Sequence, residues 1–81
     1  MSERAATLPM GAYPTKMRFE TRRGNIINVR KIWIGITGRV TDVTPDDGYI
    51  LTRWEADDAR EIFNTPEALA ELAAEQEALT A

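Results

Sequence analysis

The sequence predicts an α+β domain: a small antiparallel sheet of about five strands, curled towards a barrel, with one C-terminal helix covering its open side. Three observations carry that expectation. Apolar and polar residues alternate from Thr15 to Thr21, with Met17 and Phe19 on one face and Lys16, Arg18 and Glu20 on the other. Turn chemistry recurs between β-forming runs, at Gly24-Asn25 and at Pro45-Asp46-Asp47-Gly48. Asn64-Thr65-Pro66-Glu67 opens a helix, because Thr65 can cap, Pro66 suits the first helical position and Glu67 favours the positive dipole end. Leu, Ile, Val and Phe total seventeen of 81 residues, enough for one core and no second.

Taken in order, residues 1–14 contain Pro9, Gly11 and Pro14 and follow no apolar period, so they read as a flexible N-terminal arm. The domain proper spans 15–81. The first strand is followed by the Arg22-Arg23-Gly24-Asn25 turn and a return strand from Ile26 to Arg30. Ile27 and Val29 then share one parity while Ile32, Ile34 and Ile36 share the other. A β-bulge near Arg30-Lys31 would bring both sets to one face.

Gly35 and Gly38 mark a further bend, and residues 40–44 form another strand. Residues 49–55 are rich in β-formers and read as the strand returning from the Pro45–Gly48 turn, with 60–63 as a last short strand. The helix follows towards Leu79. The expected core is Phe19, Ile27, Val29, Trp33, Val40, Ile50, Trp54 and Phe63 from the sheet, with Leu69, Leu72 and Leu79 from the helix.

Composition argues against catalysis. With no Cys there is no thiolate nucleophile and no zinc thiolate site. With no His, the commonest general base and the commonest transition-metal ligand are both missing. No phosphate-binding glycine loop occurs, so no nucleotide cofactor or metal is expected. Asp46-Asp47 and Asp57-Asp58 are paired carboxylates without cation-loop spacing and read as turn residues. Gly35-Ile36-Thr37-Gly38 has the G-x-x-G form that clamps nucleic acid between two helices in KH domains, but strand-like flanks make it a bend.

The net charge of −3 hides a division. Residues 1–40 hold eight bases against two acids, and residues 41–81 hold eleven acids against Arg53 and Arg60. Glu67, Glu71 and Glu75 fall at i, i+4 and i+8, a like-charged stripe that disfavours its own helix. No Lys or Arg follows Arg60 to offset it. The acids Asp57, Asp58, Glu61, Glu67, Glu71 and Glu75 are therefore the candidate contact residues for a protein partner with a basic surface. The competing candidate is a nucleic-acid surface on the basic hairpin: Arg18, Arg22, Arg23, Arg30 and Lys31 interleaved with aromatics.

The runs Gly24-Asn25-Ile26-Ile27-Asn28-Val29, Gly38-Arg39-Val40-Thr41-Asp42-Val43 and Tyr49-Ile50-Leu51-Thr52-Arg53-Trp54 resemble Tudor- and KOW-type small barrels over residues 24–72. That resemblance implies a five-stranded curled sheet and a binding role for protein or nucleic acid. It does not extend to the aromatic cage, for which only Tyr49 and Trp54 are candidates. In size and charge texture, with the acid stripe behind Phe63-Asn64-Thr65-Pro66-Glu67-Ala68-Leu69, the chain is also similar to small phage-encoded inhibitors of the anti-CRISPR type. This second resemblance implies inhibition by a charged surface.

The expectation is thus a non-enzymatic binder that occludes a partner's surface. The rivals are a nucleic-acid-binding barrel and a structural subunit of a larger assembly. No apolar run reaches the ~18 residues of a membrane span, and residues 1–6 lack the apolar stretch of a secretory signal. A cytoplasmic protein without a membrane partner is expected.

Overall fold

A computed structural model describes residues 8–80. Four antiparallel strands precede two helices: β1 (Gly11–Pro14), β2 (Arg18–Glu20), β3 (Ile26–Ile34), β4 (Val40–Pro45), α1 (Arg53–Phe63) and α2 (Pro66–Thr80). The central strand is β3. It pairs with β1 near its C-terminal end and with β2 near its N-terminal end. Thr15 N–H donates to the Arg30 carbonyl (3.1 Å) and Val29 N–H to the Met17 carbonyl (2.9 Å), carrying the pairing across the gap. Together β1 and β2 therefore behave as one interrupted strand, and β4 pairs with β3 as a further antiparallel neighbour. The sheet stays open.

The expected bulge is present, but of the second set only Ile32 and Ile34 reach the core, since Ile36 lies beyond β3 in the turn and is exposed. Register shifts between Val29 and Lys31 on β3, so Ile27, Val29, Ile32 and Ile34 all reach the same buried face. The β2–β3 turn needs its glycine, since Gly24 sits at φ 84°. Gly35 answers a different need: a Cβ there would lie 2.6 Å from Thr41 Cγ2. The Gly35–Gly38 stretch is the β3–β4 turn, closed by Gly35 N–H to Arg39 O and Gly38 N–H to Gly35 O. It joins strands, so it is not a helix-flanked clamp.

Both helices pack on the same face of the sheet. Phe19 meets Phe63 edge-on at 5.7 Å, and Ala59 and Leu72 complete a core with Met17, Ile32, Val40 and Val43. Of the predicted core, Phe19, Ile27, Val29, Val40, Phe63 and Leu72 are buried, and Leu69 packs against them. Trp33, Ile50, Trp54 and Leu79 are exposed instead.

Four expectations need correction. Among the described residues the sheet has four strands rather than about five and does not close into a barrel, so the barrel implied by the Tudor and KOW resemblance is not formed there. Residues 49–52 are loop, and the expected strand to Glu55 gives way to a helix begun by a capping box. In it Thr52 Oγ1 accepts from Glu55 N–H and Glu55 Oε1 accepts from Thr52 N–H. The expected strand at 60–63 is the end of that same helix, so the described residues hold two helices rather than one. Gly11–Pro14 belongs to β1 rather than to a loose arm, while residues 1–7 lie outside the described residues.

Helix side chains finish the backbone pairing at both sheet edges. Asn64 caps α1, and its amide makes two bonds to one edge residue: Oδ1 accepts from Val40 N–H (2.7 Å) and Nδ2 donates to Val40 O (3.1 Å). It thereby imitates a neighbouring strand. On the opposite edge, the trans peptide that aims Thr15 N–H at β3 turns Pro14 C=O outward, and in the extended chain the next amide, Lys16 N–H, faces outward too. Gln76 Nε2 donates to Pro14 O (2.7 Å), and Glu75 Oε2 accepts from Lys16 N–H (3.1 Å).

Replacing Asn64 with Ala leaves both Val40 groups without those partners and should lower unfolding stability by about 2 kcal/mol. Urea denaturation checks this; an unchanged midpoint would show that the amide contributes nothing there.

Candidate functional site

The six predicted partner-binding acids do not form one surface. Asp58 is buried and internal, because Arg22 holds it from two sides: Nε at 2.8 Å from Oδ1 and backbone N–H at 3.2 Å from Oδ2. That pair ties α1 to the β2–β3 turn. Glu75 accepts from Lys16 N–H and from the Thr15 hydroxyl, so it too serves the fold. Asp57 pairs with Arg60 one turn along. Glu61, Glu67 and Glu71 remain exposed, and among the described residues none of them has an ion-pair partner.

The basic candidates are divided in the same way. Arg22 is spent on Asp58, and Arg30 donates to the Pro45 carbonyl and lies 3.5 Å from Asp47. Arg23 stacks on Trp54 with its guanidinium carbon 4.2 Å from the ring centroid. Arg18 stands exposed on β2, and Lys31 Nζ lies 5.5 Å from the Trp33 ring centroid. Trp33 is on the sheet's solvent face, anchored by its indole N–H to Thr44 Oγ1 (3.3 Å). The opposite face of the sheet carries the helices. The exposed cations of the sheet and the exposed acids of the helices therefore point away from each other.

Sequence reasoning missed one cluster. Tyr49 and Trp54 were expected within a strand, yet the loop and capping box bring both to the surface beside Glu55. Tyr49 O–H donates to Glu55 Oε2 (2.7 Å) while Arg23 lies over Trp54. Arg23, Trp54, Glu55 and Asp58 line a recess of about 110 Å³ between the β2–β3 turn and the start of α1. The readable signal was Thr52-x-x-Glu55, which fixes a helix start and places Trp54 in its first turn.

A second recess, about 290 Å³, lies between α2 and the segment joining β1 to β2, bounded by Pro14, Thr15, Glu75, Ala78 and Leu79. Its polar groups are the ones that hold α2 to the sheet.

Among the described residues no group of three or more His, Cys, Asp or Glu side chains is placed to hold a metal ion. No helix there is long and apolar enough to cross a membrane. Comparison with family models, with curated proteins and with solved structures finds no match for this chain.

The Glu55 carboxylate is held below the ordinary glutamate range, first by the Thr52 backbone N–H and next by the Tyr49 hydroxyl. The same bond to Glu55 raises the Tyr49 phenol above its ordinary value. A lowered carboxyl pKa means a contribution complete above the unfolded-state value and lost as pH falls through the folded one. Carboxyl NMR should show Glu55 titrating below its value in an unfolded peptide, and Glu55→Gln should return the Tyr49 phenol to the ordinary range. A Tyr49 titration unmoved by Glu55→Gln would refute the pairing.

Proposed function

We propose that the protein is a non-enzymatic binder that covers a basic surface of a protein partner with its helical layer. One observation carries this reading: Glu61, Glu67 and Glu71 stand on the exposed helix surface without an ion-pair partner among the described residues. A helix selected only for its own stability would place Lys or Arg near Glu67 and Glu71, since like charges at i, i+4 cost a few tenths of a kcal/mol. The last turn of α2 has no basic residue either, although cations are favoured at that end. A basic partner would supply both deficits at once. Complementary charge would speed encounter and bias the choice of partner.

A groove that ordinarily holds nucleic acid has the required sign. Occluding it would inhibit a nucleic-acid-processing complex without any chemistry of the inhibitor's own. This reading is consistent with the resemblance in size and charge to small phage-encoded inhibitors of the anti-CRISPR type.

Lys31 beside the exposed Trp33 favours a second reading, a nucleic-acid contact on the open sheet face. It is weaker, because Arg22 and Arg30 are engaged within the fold and Arg23 stacks on Trp54.

The test is a pull-down from host lysate, with and without nuclease treatment, using the wild type and Glu61→Lys/Glu67→Lys/Glu71→Lys. Glu75 and Asp58 are left intact because they hold the fold. A stoichiometric partner kept by the wild type and lost by the triple variant is expected. Identical capture by both proteins would contradict the proposal, and capture that disappears with nuclease would favour the sheet face.

A further inference from the structure

Three exposed residues in the loop before α1 and in its first turn are not acidic at all. Tyr49 is 42 % exposed, Ile50 90 % and Trp54 45 %, and the Tyr49–Glu55 bond gathers the loop against the first turn of α1. Three large apolar side chains exposed within six residues of sequence, with Tyr49 bonded to the residue next to Trp54, make a small apolar cluster at the start of α1. Aromatic anchors are also the residues on which binding energy concentrates. Trp54 shares the exposed stripe of α1 with Asp57 and Glu61, three and seven residues further on. The apolar cluster is therefore continuous with one end of the acidic helix surface.

The indole already shows what it accepts. Arg23 reaches from the β2–β3 turn to lie over Trp54, with Glu55 close enough for its charge to be felt. A guanidinium is thus held on an aromatic face beside a carboxylate, on a side chain that is itself exposed. Arg23 makes no ion pair among the described residues, so little besides the ring holds it there. Planar guanidinium stacks on such a ring more favourably than a compact ammonium.

We propose that Trp54, with Glu55 beside it in the same recess, is the anchor site for an arginine side chain of the basic partner, and that Arg23 occupies this site in the free protein and is displaced on binding. The inference rests on the reading of the helical layer as a docking surface for a basic protein and names the residue type that surface selects. Binding is then a competition between an internal and an external arginine. Removing the internal one increases apparent affinity, because the competent surface no longer has to be uncovered.

The probe is a nona-arginine peptide compared with a nona-lysine peptide, titrated by calorimetry at low salt against the intact protein. Trp54→Leu keeps an apolar residue at a half-exposed position, and a thermal melt verifies that the fold is retained. It is expected to weaken nona-arginine binding by about threefold to fivefold, the size of an exposed cation–π contact, and to change nona-lysine binding less. Arg23→Ala is expected to strengthen nona-arginine binding, and that gain should vanish when Trp54→Leu is also present.

The outcomes separate the two readings. Nona-arginine binding lost in the Glu61, Glu67, Glu71 reversal but indifferent to Trp54→Leu would keep the acidic surface and overturn the anchor site. A gain from Arg23→Ala that persists without Trp54 would also overturn it, because the effect would then be net charge alone. Absence of binding to either peptide would overturn both readings.

Discussion

A sheet only three strands wide has two edges and few interior positions, and each edge exposes backbone groups that need partners. In this protein the helices provide them through side chains. Asn64, at the end of α1, takes both backbone groups of Val40, while Glu75 and Gln76 on α2 take Lys16 N–H and Pro14 C=O. Asp58 adds a third tie, from α1 to Arg22 in the β2–β3 turn. These bonds set where the helices lie, and hence which faces of the helices meet solvent. They also keep the sheet from extending through its edges, so the structure ends in two layers instead of a barrel.

That arrangement decides how the charge of the sequence is used. Asp58 and Glu75 look, in one dimension, like members of an acidic run, yet both are consumed as partners for backbone N–H groups. Arg22 and Arg30 are likewise drawn into local contacts. The remaining helix acids, Glu61, Glu67, Glu71 and Glu77, are on the helical layer together with one exposed cation, Arg53, that has no ion pair among the described residues, while Arg18, Arg23 and Lys31 lie on or around the sheet. Apart from Arg53 on α1 and Glu20 and Asp42 on the strands, the asymmetry between the two halves of the sequence thus survives folding as an asymmetry between two faces, with Arg23 over Trp54 as a bridge between the basic turn and α1.

How much of this was legible in the sequence depended on whether the signal was local. The bulge at Arg30 could be read because Ile27, Val29, Ile32 and Ile34 had to share a face, and the start of α2 could be read because Thr65 and Pro66 carry their own backbone preferences. Residues 49–52 misled because Tyr, Ile, Leu and Thr favour strands, whereas Thr52 and Glu55 together form a capping box, which outweighs propensity at a helix start. Once α1 is recognised, Ala59 and Phe63 fall at i, i+4 on its buried side, and the strand expected at 60–63 has no role. A strand at 49–55 puts Trp54 on the core face with Ile50, and Trp33 is expected beside it, but an aromatic can lie on a surface when its polar atom or a cation engages it. Glu75 and Asn64 could not be read at all, since their partners are about 60 and 24 residues away in sequence.

Native-state hydrogen exchange at two edge amides tests the central claim most directly. If the helix side chains complete the sheet, Val40 and Lys16 N–H should exchange with the protection of amides inside the β3 pairing, opening only with the global unfolding reaction. Exchange at either position at the rate of a free edge amide, while β3 amides such as Val29 stay protected, would contradict the account.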